Sequence, residues 1–213
     1  MHTPDEFRHL VDKHDYFAAL HSGSKAEQLF HPARLRVVSG ITDWVGKGVL
    51  EVGSGTGCLA IPLAEAGAEV TAAELSFEHL ETLRGYAAER SLSLPVVQSD
   101  ARRLPFADDS FDRVLVASLV HLVARSGSLL REAERVCRPE GRIVVAGPWQ
   151  KHPKSMTWLK TLLRGGKAPD GRKYPFNLPR LKQLLLRSTY LGSNYDYPMG
   201  YFATLWVPDK KPS

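Results

Sequence analysis

Three glycines at alternate positions, Gly53, Gly55 and Gly57, follow the acidic Glu51, and two more carboxylates, Glu74 and Asp100, come 23 and 49 residues after it. Glycines without a Cβ take positive φ and let a ligand approach the backbone closely, and a helix opening behind them would present free N–H groups. A carboxylate at position 74, closing a strand, can accept from both hydroxyls of a ribose. Asp100 can accept from an adenine amino group, with the backbone N–H of Ala101 directed at a ring nitrogen. Together these residues would hold an adenosine-containing ligand. A glycine motif alone is weak evidence, and an acid at a strand end is often merely solvated. The spacing is G-x-G-x-G, with Cys58 where the dinucleotide fingerprint requires its third glycine, which counts against NAD.

Such a site requires strands that end side by side. Gly48–Val52 reads as a short apolar strand, and Leu59, Ile61, Leu63 and Ala64 as a helix stopped by Gly67. Residues 69–73 form the next strand. Ser76 can cap a helix with Glu78 in its first turn and Leu80, Leu83 and Ala87 facing inward. Residues 95–97 and 111–117 supply two more strands. Ser126 or Ser128 is expected to cap a helix striped with Leu129, Leu130, Ala133, Val136 and Cys137, with Pro139-Glu140-Gly141 as its stop and residues 142–146 as the fifth strand. This alternation predicts an α/β fold, a doubly wound, Rossmann-like sheet of mostly parallel strands with helices on both faces. Residues 1–47 read as a helical cap and 48–213 as the main body of one domain. Within that body, 148–188 is basic. The aromatic runs of 189–207, joined by Pro198-Met199-Gly200, predict an antiparallel hairpin at the sheet edge.

The 213 residues, 43% hydrophobic and 24% charged, suffice for one core and argue against disorder. Cys58 and Cys137 fit neither a disulfide framework nor a zinc cluster, so a reducing cytoplasm is the simplest setting. The scattered histidines show no ligand spacing, so no metal is expected. No apolar run is long enough to span a membrane. The net charge of +5 is uneven: residues 151–187 hold ten Lys or Arg against the single acid Asp170. That segment could attract an anionic small molecule, a phosphate-bearing partner or RNA, although most such runs are solvated helix faces.

The segments VLEVGSGTG, the strand-end Glu74, SDARRLPFADDSFDRVLV and RPEGRIVVAGP, in that order, resemble class I S-adenosylmethionine-dependent methyltransferases. They are most similar to the type 11-like group of small-molecule enzymes with a D-A-x-x-L-P-F segment. The resemblance covers about residues 45–148. It implies that Glu51 and the Gly53–Gly57 turn, Ser54 included, receive the methionine part of S-adenosylmethionine. Glu74 would receive the ribose and Asp100 with Ala101 the adenine, Leu75 would also bind the cofactor, and Ser118 would lie near the sulfonium. It implies methyl transfer to a small-molecule acceptor by direct in-line displacement, with acceptor-binding elements in residues 1–47 and 148–200. His121 is the candidate general base, or else a packing or cofactor-wall residue. His14, Tyr16, Trp149 and His152 are further candidates for the acceptor pocket. Two alternatives stay open. One is an RNA methyltransferase using the basic segment with Trp158, Tyr174 and Phe176, although no Asn-Pro-Pro-Tyr type of motif follows the fourth strand. The other is a catalytically silent, cofactor-binding regulatory protein.

Overall fold

Apolar strand runs without polar alternation need cover on both faces, and the chain provides it by placing helices above and below one sheet. A computed structural model describes residues 34–120, 122–123, 126–148, 188–196 and 201–210. The strands β1 (Gly48–Val52), β2 (Glu69–Glu74), β3 (Val96–Gln98), β4 (Phe111–Ala117) and β5 (Cys137–Pro148) run parallel in the order β3-β2-β1-β4-β5. Beyond β5 lie β7 (Tyr201–Pro208) and then β6 (Ser188–Asp196), an antiparallel hairpin whose second strand pairs with β5. The expected edge hairpin is therefore present, with β7 inside it; its turn lies outside the described residues.

The helices α1 (Ala60–Glu65), α2 (Phe77–Glu89) and α3 (Ser126–Val136) divide the core in two. On one face Val49, Ala72, Leu115 and Val144 pack with Ile61 and Leu63 of α1 and Leu83 of α2. On the other Leu50, Val52, Val114, Val116 and Val145 pack with Leu129, Leu130 and Ala133 of α3 and with Trp206. Successive strand residues thus serve opposite faces, the period of two expected of a doubly covered sheet. Residues 34–39 are helical, and Leu35 and Val38 join the first face together with Trp44, whose indole donates to the Val38 carbonyl at 3.1 Å. The rest of the expected N-terminal cap, residues 1–33, lies outside the described residues, as does 149–187.

Local signals placed α2 well. The Ser76 hydroxyl accepts from the His79 N–H at 3.3 Å, Glu78 occupies the first turn, and Leu80, Leu83 and Ala87 are buried. Two boundaries differ from expectation. Ser126 and Ser128 lie within the first turn of α3 rather than before it, and the Ser128 hydroxyl accepts from Arg131. Pro139-Glu140-Gly141 is not a separate stop. β5 begins at Cys137, which pairs with Phe111, and the register then shifts so that Arg142 pairs with Arg113. Tertiary pairing with β4 captures the chain as α3 ends, and the turn-forming residues become a bulge, with Glu140 at φ +61°.

Candidate cofactor site

The chain runs outward from β1 through β2 to β3 and then returns to the other side of β1 as β4. Strand order reverses between β1 and β4, so the loops at their C-terminal ends part and leave a crevice. A cavity of about 260 Å³ opens there.

The glycine turn hangs from β2. The N–H groups of Gly53 and Ser54 both donate to the Ala73 carbonyl, at 2.7 and 3.2 Å, and Gly57 bonds back to Ser54. Gly57 has φ +93°, and a Cβ there would meet Leu83 Cδ1 at 2.1 Å, so its bareness lets the turn press against α2. At Gly53, φ +74°, a Cβ would strike the Leu119 side chain, which walls the cavity.

Glu74 joins the turn to α2. Its Oε2 accepts from the Gly55 N–H at 2.9 Å, and its Oε1 from the N–H groups of Leu75 and Ser76 at 2.8 and 3.0 Å. A carboxylate offers about four acceptor positions, so one remains for a ligand hydroxyl. Beyond the neighbouring strand β3, Asp100 accepts from the backbone N–H and guanidinium of Arg102, which hold its carboxyl down at about 2. The loop bearing Asp100 is braced by α3: Glu132 accepts from the Leu104 N–H, and Arg135 donates to the carbonyls of Leu104 and Phe106.

Apolar side chains complete the lining. Leu75, Leu119, Leu122 and Val123 line the cavity, and Leu75 is 65% exposed at its rim. Among the expected residues, Gly53, Glu74, Leu75, Asp100 and Ala101 line it; Glu51, Ser54, Gly55, Gly57 and Ser118 do not. Ser118 closes β4 in the left-handed region, its N–H bonded to the Ala146 carbonyl. His121, the candidate base, lies outside the described residues, between wall positions 119 and 122. His14, Tyr16, Trp149, His152, Trp158, Tyr174 and Phe176 lie outside them too. Sequence reading missed Ala73, Ser99, Arg102, Leu119, Leu122 and Val123 as lining. The leucines and valine were visible only as apolar residues around His121, and nothing marked Arg102.

Polar groups left over behind the turn suit a ligand with its own donors. Glu51 is 3% exposed, and its Oε2 has no partner. Burial pushes its carboxyl up to about 8, against the opposing pull of Arg34 and the Ala60 N–H, with Glu74 adding to the rise. The buried hydroxyls of Ser54 and Ser99 are likewise without partners. Buried polar atoms are ordinarily satisfied, so the orphans Glu51 Oε2 and Ser54 Oγ at the turn, with Ser99 Oγ just after β3, fit a bound group that donates and accepts there. No set of three or more metal-ligating side chains occurs among the described residues, and neither cysteine forms a disulfide.

Residues 50–145 match the methyltransferase domain family. The chain is 36% identical over 120 residues to an uncharacterised Mycobacterium tuberculosis protein, covering 56% of this chain and 44% of that one. It is 39% identical over 100 residues to the demethylmenaquinone methyltransferase of the same species, covering 47% and 40%. It thus spans less than half the length of these curated relatives. A solved SAM-dependent methyltransferase from Aquifex aeolicus superposes with TM-score 0.64 at 16% identity, over 98% of this chain and all of that one, which establishes likeness of fold.

Proposed function

We propose that this chain, whose residues 50–145 match the methyltransferase domain family, is a class I methyltransferase that transfers a methyl group from S-adenosylmethionine to a small-molecule acceptor by direct in-line displacement. The observation that carries this reading is the cavity at the strand-order reversal, lined by the two carboxylates Glu74 and Asp100 and by apolar side chains. That combination suits a purine nucleoside, which carries sugar hydroxyls and an amino group as donors and a flat apolar ring.

When bound, S-adenosylmethionine supplies a methyl group already activated on a sulfonium, so the chain's own work is to bind, orient and exclude water. Glu74 and the Gly55 N–H it holds fix the sugar relative to the glycine turn. Leu119, Leu122 and Val123 exclude water from the purine face. Glu51, ionised by a cationic amino group, holds the methionine end, and Ser54 donates or accepts beside it. His121 takes the acceptor's proton where the acceptor carries one. The name of the demethylmenaquinone relative supports a small organic acceptor over a macromolecule.

Calorimetric titration with S-adenosylmethionine and S-adenosylhomocysteine, with NAD as control, tests the reading. Micromolar binding of both adenosyl ligands is expected, weakened at least tenfold in Glu74→Ala, about the contribution of a charge-assisted hydrogen bond. Absence of binding, or preference for NAD, would overturn it.

A further inference from the structure

The Asp100 side of the cavity carries a second residue that sequence reading passed over. Asp100 and Arg102 both line the cavity, with side chains 38% and 47% exposed. The Arg103 N–H closes a tight turn on the Asp100 carbonyl at 2.8 Å, and the Arg102 N–H donates to Asp100 Oδ1 at 2.8 Å. The guanidinium then folds back over the same carboxylate. Its Nε lies 3.0 Å from both oxygens, and its Nη2 lies 2.6 Å from Oδ2.

We propose that Arg102 is a positioning residue for purine recognition: its guanidinium holds the Asp100 carboxylate in the plane and orientation that accept from the exocyclic amino group of adenine. This deepens the function proposed above and rests on it. Three physical arguments support the assignment. A carboxylate's terminal torsion is broad, and one backbone N–H on Oδ1 leaves Oδ2 free to rotate; the fork removes that freedom. Three N–H groups engage the two oxygens, the Nε–H being shared between both, so an incoming amino group meets a carboxylate whose orientation is already set. The pair is also electrically neutral, which suits a neutral amino donor, whereas a bare carboxylate would favour a cation.

Because the pair is exposed, it contributes little to stability, so its effect belongs in ligand discrimination. The test is titration of the full chain with S-adenosylhomocysteine and with its deaminated analogue S-inosylhomocysteine, in wild type, Arg102→Gln, Arg102→Lys, Asp100→Ala and the Asp100→Ala/Arg102→Gln double variant. Wild type is expected to prefer the adenosyl ligand, and Arg102→Gln to lower that preference about fivefold to tenfold, the size of one weakened hydrogen bond to a charged group. Lysine, a point charge without the fork, is expected to restore little of it. In the Asp100→Ala background the Gln substitution should change nothing further, because Arg102 acts through Asp100. An unchanged preference in Arg102→Gln, or a full effect persisting without Asp100, overturns the inference and leaves the cofactor reading intact. Wild-type protein that binds neither ligand overturns both.

Discussion

At the scale of single residues, the fold changes the ionisation of Glu51. Sequence reading found it because an acid ending a strand before G-x-G-x-G is conspicuous, but its burial, its unpartnered Oε2 and its carboxyl raised to about 8 are products of packing. The native chain keeps the Glu51 proton up to about pH 8, whereas the unfolded chain releases it near 4.5. Between those limits the native state binds more protons, so stability falls as pH rises, by at most about 1.4 kcal/mol per pH unit. Thermal unfolding from pH 5 to 8 should therefore show a decline that Glu51→Gln flattens, with the variant more stable than wild type at pH 8. Equal slopes in the two proteins would place the pH dependence elsewhere. Arg102 marks the opposite limit of legibility: an arginine two residues past an aspartate carries no signal until the turn at 100–103 brings its guanidinium back.

Between elements, the decisive contact is the glycine turn against α2. The spacing of the three glycines was readable, and so was α2, from its Ser76 cap and its Leu80, Leu83, Ala87 stripe. That Leu83 presses on position 57 was not, because it depends on how β1 and β2 align. Gly57→Ala combines a left-handed backbone with this collision and should cost at least about 2 kcal/mol in chemical denaturation. Leu83→Ala alone should cost about 2–5 kcal/mol by leaving a cavity. In the Leu83→Ala background, Gly57→Ala should cost measurably less than in wild type, since only the backbone strain remains. Strict additivity would refute the steric account.

For the molecule as a whole, the C-terminal hairpin clasps the parallel sheet. Ala203 and Trp206 of β7 are buried, one on each face, and the Trp206 indole donates to Thr204, whose hydroxyl donates to the Val145 carbonyl. Beyond β7, the ammonium of Lys210 bonds the carbonyls of Arg135 and Cys137, each at 2.7 Å, and the carboxylate of Asp109. It thus places a cation at the negative C-terminal end of α3. Lys210→Met should lower stability by about 1–3 kcal/mol, a fall in melting temperature of several degrees for a chain of this size. No change would mean that water replaces the ammonium without loss. None of the described helices is long and apolar enough to cross a membrane.

What the sequence determined by itself was local and periodic. Apolar runs bounded by turn residues set five parallel strands, Ser76 set the start of α2, and three glycines after an acidic residue marked the ligand turn. These follow from steric and hydrogen-bonding preferences acting within a few residues. Tertiary structure alone decided what depends on contacts between distant segments. It drew Pro139-Glu140-Gly141 into a bulge of β5, aimed Leu119, Leu122 and Val123 at the cavity, and enclosed Glu51 until its carboxyl held its proton. It also brought Lys210 to the end of a helix whose carbonyls lie more than 70 residues earlier. Burial, desolvation and cross-strand register are properties of the assembled sheet, and no stretch of sequence holds them alone.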